Sequence, residues 1–198
     1  MKAVYAVCFI GLFSACGCSP DKTLLARYGE REFAVGEDGV RYKVAAERDY
    51  SSGFRTELTV EMSGITDSAW KKVSSFTAPE GFTPGFGGRI GLCPDGGRLF
   101  MALGQKGGAT VMMAADGGAN WSQKGGAAVS GERWFSADPE IAACGGGSLC
   151  MEMDGKIFTS KDDGATWTYS AELREGRDRS LAPGKDGSVM ASWVSGDK

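Results

Sequence analysis

The chain contains no histidine. That absence excludes Ser-His-Asp and Cys-His catalysis and every imidazole-ligated metal site. Helical periodicity is nearly as scarce, and the one stretch that carries it, Asp21 to Arg31, is expected to be a short helix. Strong charge is also missing. The net charge is −3 and the lysines and arginines do not gather into a stripe, so nucleic acid is not an expected partner. Cys144 and Cys150, two thiols with no histidine near, make no zinc pattern, and neither a metal nor a cofactor is expected. No pair of carboxylates stands in a motif that a glycosidase of the usual kind would need. No apolar run reaches the roughly 20 residues that a bilayer-spanning helix requires.

The N-terminus is informative. MKAVYAVCFIGLFSACGCSP has one lysine, Lys2, then an apolar run from Ala3 to Phe13, then small residues and cysteines. This is the layout of a secretory signal, expected over residues 1–19. Its end, FSAC, resembles the bacterial lipobox, in which small residues precede a cysteine that is acylated and becomes the mature N-terminus. Phe13 stands where leucine is usual. The resemblance makes Cys16 the lipidation site, and Gly17 in place of aspartate after it favours the outer membrane. The expected location is therefore exported and membrane-anchored, in the outer membrane or periplasm.

Glycine is abundant, 31 of 198 residues, about double the average share. It falls in clusters between short apolar or alternating runs, the punctuation of many short strands and tight turns. The sequence also repeats. GGATVMMAADGGANWSQ, from Gly107, matches DGKIFTSKDDGATWTYS, from Asp154, with Asp116 against Asp162, Gly118 against Gly164 and Trp121 against Trp167. RIGLCPDGGRLFMA, from Arg89, matches EIAACGGGSLCMEM, from Glu140, setting Cys93 against Cys144. A third copy begins at SLAPGKDGSVMASW, from Ser180. Four short strands in about 40 to 50 residues is the size of a propeller blade. The strands expected in the second copy are Ile141 to Cys144, Leu149 to Met153, Lys156 to Ser160 and Trp167 to Ser170. Residues 20–85 form a further β region, with strands expected over Val40 to Arg48, Phe54 to Met62 and Trp70 to Phe76. It reads either as an eroded blade or as a separate small β element. Residues 86–198 hold the repeat blades, the last one incomplete.

SKDDGATW, Ser160 to Trp167, resembles the Asp box of bacterial-neuraminidase repeats, S-x-D-x-G-x-T-W, at Ser160, Asp162, Gly164, Thr166 and Trp167. AADGGANW keeps Asp116, Gly118 and Trp121 but lacks the serine and threonine. The resemblance implies an all-β fold, a partial β-propeller of the sialidase type with roughly three to four four-stranded blades. It also implies that the box residues hold a turn, since families with this motif place it away from the active site. GRIGL, around Arg89, is similar to the motif that opens sialidases, without its aromatic residue and proline. In that family the arginine clamps the substrate carboxylate, a role suited to guanidinium. The segment LGQKGGAT, where the family's acid aspartate usually lies, has no carboxylate.

Two functions follow as expectations. The first is a noncatalytic envelope lipoprotein whose blades form a binding or scaffolding surface for a protein or glycan. The second is a sialidase-like glycoside hydrolase, or a fragment of one, using Arg89. Because propellers close with four to eight blades, a truncated array, an open array, and completion by a homo-oligomer or partner chain all stay open. Disulfides are permitted in an oxidising compartment, with Cys144–Cys150 and Cys93–Cys144 as rival pairings. Trp70, Trp134 and Trp193 are expected in the core rather than on sugars.

Overall fold

The computed structural model describes residues 25–36, 39–50, 55–64, 66–82, 84, 89–129, 139–173, 177–183 and 189–194. The segment expected to be a signal, residues 1–19 with Cys16 and Cys18, and Trp134 lie outside them. The described residues are all β, with no helix, and so none long and apolar enough to cross a membrane.

Among the described residues, fourteen strands make three four-stranded antiparallel sheets and one two-stranded sheet, each pairing its strands in chain order. The first sheet has β1 (Leu25–Val35), β2 (Arg41–Asp49), β3 (Arg55–Ser63) and β4 (Lys71–Thr77). The second has β5 (Ile90–Asp95), β6 (Arg98–Gln105), β7 (Gly108–Ala114) and β8 (Trp121–Ala128). The third has β9 (Glu140–Gly145), β10 (Ser148–Met153), β11 (Lys156–Ser160) and β12 (Thr168–Glu172). The pair β13 (Arg177–Pro183) and β14 (Val189–Val194) follows. Two-residue turns with both residues at positive φ join several hairpins, as at Gly96–Gly97 and Asp154–Gly155. Such turns match the twist of the strands they join.

The sheets stack in chain order, and their first strands meet in succession: β1 with β5, β5 with β9, β9 with β13. The approach of β5 to β9 is so close that a Cβ on Gly91 would lie 2.6 Å from the Pro139 carbonyl oxygen. The second sheet is apolar on both faces. Leu92, Leu99, Met101 and Leu103 face Val44, Leu58 and Val60 of the first sheet. Cys93, Phe100, Ala102 and Val111 face Ile141, Leu149, Met151 and Phe158 of the third. Strands buried on both faces read as continuous apolar runs rather than alternating ones, as LFMALG in β6 does.

The candidate helix is corrected. Leu25 to Arg31 belongs to β1, which pairs with β2 and so supplies the first strand that β5 packs against. Two register shifts in β1, between Tyr28 and Arg31 and between Glu32 and Ala34, break the strand alternation. Pairing with β2 overrides the local propensity. The equivalence of Cys93 with Cys144 is also corrected. Cys93 pairs with Phe100, and its counterpart across the register is Ala142, which pairs with Cys150. Cys144 is an extra residue, because Leu149 pairs with Ala143 while Ser148 pairs with Gly145.

Candidate functional site

The repeated turns between the third and fourth strands are the most elaborated feature of the molecule. In the turn from Ser160 to Trp167, Asp162 is exposed yet fully engaged. Its Oδ1 accepts from the Thr166 N–H at 2.9 Å and from the Ser160 hydroxyl at 2.8 Å, and its Oδ2 accepts from the Thr166 hydroxyl at 2.6 Å. The Ser160 hydroxyl oxygen in turn accepts from the Gly164 N–H at 3.0 Å. These donors, the Thr166 hydroxyl first, hold the Asp162 carboxyl down at about 2. A carboxylate so satisfied is a poor proton donor and a good turn anchor.

The turn from Ala114 to Trp121 reaches the same end with different residues. Asp116 Oδ1 accepts from the Ala119 and Asn120 N–H groups, both at 3.0 Å, and Oδ2 accepts from the Asn120 amide at 2.6 Å. Asn120, through its N–H and then its amide, keeps the Asp116 carboxyl below its ordinary value. Asn120 therefore does the work of Thr166. In sequence, Asn120 stands where the other turn has threonine, and its amide offers the same donor at the same spacing.

Both turns place two successive residues at positive φ: Gly117 and Gly118 at 67° and 99°, Asp163 and Gly164 at 55° and 81°. Each also backs onto the first hairpin of its own sheet, through Gly117 N–H to Gly97 O at 2.9 Å and Asp163 N–H to Gly147 O at 3.0 Å. The tryptophan ring N–H closes the turn, Trp121 onto Gly118 O and Trp167 onto Gly164 O, each at 2.9 Å.

Each turn also plugs into the preceding sheet. A Cβ on Gly118 would meet Leu99 at 3.2 Å, Val73 at 3.7 Å and Val60 at 3.8 Å. Trp121 stacks on Phe76 at 5.4 Å and donates to the Ser74 hydroxyl at 3.1 Å. One sheet later, a Cβ on Gly164 would meet Val111 at 3.2 Å and Leu149 at 3.3 Å. There the Gly164 and Ala165 carbonyls press so closely on β8 that a Cβ on Gly125 would lie 2.8 and 2.3 Å from their oxygens. The second junction adds an ion pair, Arg98 Nη1 to Asp163 Oδ1 at 2.5 Å, with Arg98 also bound to Asp95. Gly118 and Trp121, in the turn that Asp116 anchors, thus tie the second sheet to the first, and Gly164, Ala165 and Asp163, in the turn that Ser160, Asp162, Thr166 and Trp167 hold, tie the third to the second.

Arg89 lies apart from these turns, exposed where β5 begins, and its carbonyl accepts from the Gly104 N–H at 2.8 Å. Trp70 is in neither apolar cluster, which corrects its expected core role. The Arg41 guanidinium and the Lys43 ammonium lie 5.3 and 4.7 Å from its ring centre. Trp193 lies in β14, but its side chain is outside the description. Cys93, Cys144 and Cys150 are free thiols. Among the described residues, no three acidic or thiol side chains gather as a metal site would need. No family model matches the chain, and no curated protein matches it.

Proposed function

We propose that the chain is an exported lipoprotein, anchored through Cys16, whose Asp-box sheets are propeller-type blades serving as a noncatalytic binding or scaffolding surface for a protein or glycan at the cell envelope. The observation that carries this reading is how the box side chains are used. Asp162, Asp116 and both tryptophans are spent on turn geometry and on holding one sheet to the next. The elaborated part of the repeat builds a scaffold, and the exposed outer strands and rims are what remain to meet a partner. The succession of first strands from β1 to β13 is the arrangement that blades around an axis would have.

Two experiments test this. Cys16→Ser should move the protein from the membrane to the soluble fraction and abolish fatty-acid labelling; unchanged fractionation would refute the anchor. Hydrolysis of a fluorogenic sialoside that disappears in Arg89→Ala would refute the noncatalytic reading. It would favour the sialidase-like alternative, for which the exposed place of Arg89 at the head of β5 is the supporting observation.

A further inference from the structure

The third sheet carries two thiols that the scaffold does not use. Cys144 is the extra residue of the bulge in β9, just before the Gly146–Gly147 turn into β10. Cys150 pairs in register with Ala142, two residues before Cys144, so the two cysteines stand on adjacent strands of one hairpin. Cys150 is buried and Cys144 only partly so. Their side of the sheet is distinct. Cys150 and its register partner Ala142 are both buried, yet neither belongs to the apolar cluster shared with the second sheet.

Cys93 is held differently. It belongs to that cluster, and its Sγ accepts the buried Ala143 N–H at 3.0 Å. Drawing Cys93 into a disulfide would pull its Sγ away from that N–H, and a buried donor left unpaired is costly. Burial raises all three thiols, Cys93 to about 11 and Cys150 to about 12, so none is reactive by acidity alone. Access and proximity decide among them.

We propose that Cys144 and Cys150 form a disulfide within the β9–β10 hairpin by exchange with an external disulfide, while Cys93 stays reduced as a hydrogen-bond acceptor. The partly exposed Cys144 thiolate attacks one sulfur of the oxidant, which releases one thiol and leaves a mixed disulfide on Cys144. The Cys150 thiolate then attacks Cys144 Sγ and expels the second thiol. The two electrons and two protons that the cysteine pair gives up leave with the two product thiols, so the exchange balances. The product is a covalent ring across a glycine turn, at a bulge that otherwise has one unpaired residue. This does not depend on the export reading, because a soluble oxidant is enough.

The test uses the full chain, reduced and then equilibrated with oxidised glutathione, blocked with N-ethylmaleimide and digested with trypsin. Cys144 and Cys150 fall in one peptide, Trp134 to Lys156, and Cys93 in another, Ile90 to Arg98. The expected result is a 134–156 peptide lacking two hydrogens and carrying no maleimide, with a 90–98 peptide fully alkylated. Cys150→Ser should trap glutathione on Cys144, and the oxidised wild type should melt several degrees above the reduced form. A 90–98 peptide linked to 134–156, or maleimide on both cysteines of 134–156, overturns the proposal. If Cys150→Ser fails to fold, the wild-type peptide masses still decide.

Discussion

Gly125→Ala is the sharpest probe of how the second and third sheets are joined. Gly125 does not have positive φ, so the change costs no left-handed strain, and β8 is an exposed outer strand where alanine would ordinarily be accepted. The new methyl would lie 2.3 Å from the Ala165 oxygen and 2.8 Å from the Gly164 oxygen, inside the 3.0 Å that real Cβ atoms respect. Both neighbours are backbone, so no rotamer change relieves the clash. The turn must retreat by at least about 0.7 Å, loosening Gly164 against Val111 and stretching the Arg98–Asp163 pair. Overpacking of this kind costs roughly 1–3 kcal/mol, and the upper half of that range applies because carbonyls on both sides of one peptide are displaced. In a chain of this size about 2 kcal/mol lowers the melting temperature by roughly 4–8 °C. Urea denaturation followed by tryptophan fluorescence reads it, with Gln123→Ala on the same strand as a control expected within about 0.5 kcal/mol of wild type. Gly125→Ala and Arg98→Ala act on one contact, so the double variant should fall short of additivity. A Gly125→Ala protein as stable as the control would refute the docking of this turn on β8.

Arg98→Ala by itself should cost about 1 kcal/mol, part ion pair and part lost cover of the Phe100 ring, and the ionic part should shrink in salt, read by melts at low and high ionic strength. Asn120→Ala should destabilise the second sheet by about 1 kcal/mol while Asn120→Thr restores it; equal losses in both would refute the equivalence of Asn120 with Thr166. Asp162 is more acidic folded than unfolded, so its contribution is complete above its unfolded value of about 4 and disappears as pH falls through about 2. Acid melts should therefore fall more steeply for wild type than for Asp162→Asn between those limits. For the oxidised hairpin, chain-entropy arithmetic for a ring of Cys144 to Cys150 gives about 2 kcal/mol, a difference that calorimetry of reduced and oxidised protein resolves.

What was legible in the sequence is what repeats. The strands of the third sheet, read from the spacing of glycine clusters, differ from the structure by a residue or two at their ends, because turn residues at positive φ leave an unambiguous composition. β1 was not legible: its two register shifts erase the alternation that marks a strand, and its identity comes from pairing with β2. The register of Cys93 was misread for a related reason, since a one-residue bulge leaves sequence similarity intact while moving every partner. Asp116 and Asp162 were legible as turn anchors. That their turns plug the preceding sheet was not, because the contacts fall on Gly125, Ser74 and Phe76, residues far away in sequence and undistinguished by type.

The two faces of the first sheet are held in different ways. One face, with Val44, Leu58 and Val60, is apolar and packs on the second sheet. The other carries Arg41 and Lys43 on β2 and Glu57, Thr59 and Glu61 on β3. Lys43 and Glu61, directly opposed in register, pair at 2.9 Å, and Thr59 and Ser75 meet across β3 and β4 at 3.4 Å. Trp70 lies beside Arg41 and Lys43, and Arg41 donates to the Asp67 carbonyl at 2.7 Å, which ties the loop before β4 to this side. This side is not open to solvent: the Lys43 and Glu61 side chains keep only 13% and 23% of their exposure, and Ala45 and Ser63 beside them are buried. Removing one member of a pair so covered leaves the other charge in low dielectric with less to compensate it, whereas removing both takes the desolvation cost away with the attraction. Lys43→Leu and Glu61→Leu should therefore each lose more stability than the double variant loses, read from urea melts of the three proteins, and a double variant that loses the sum of the two would refute the coupling.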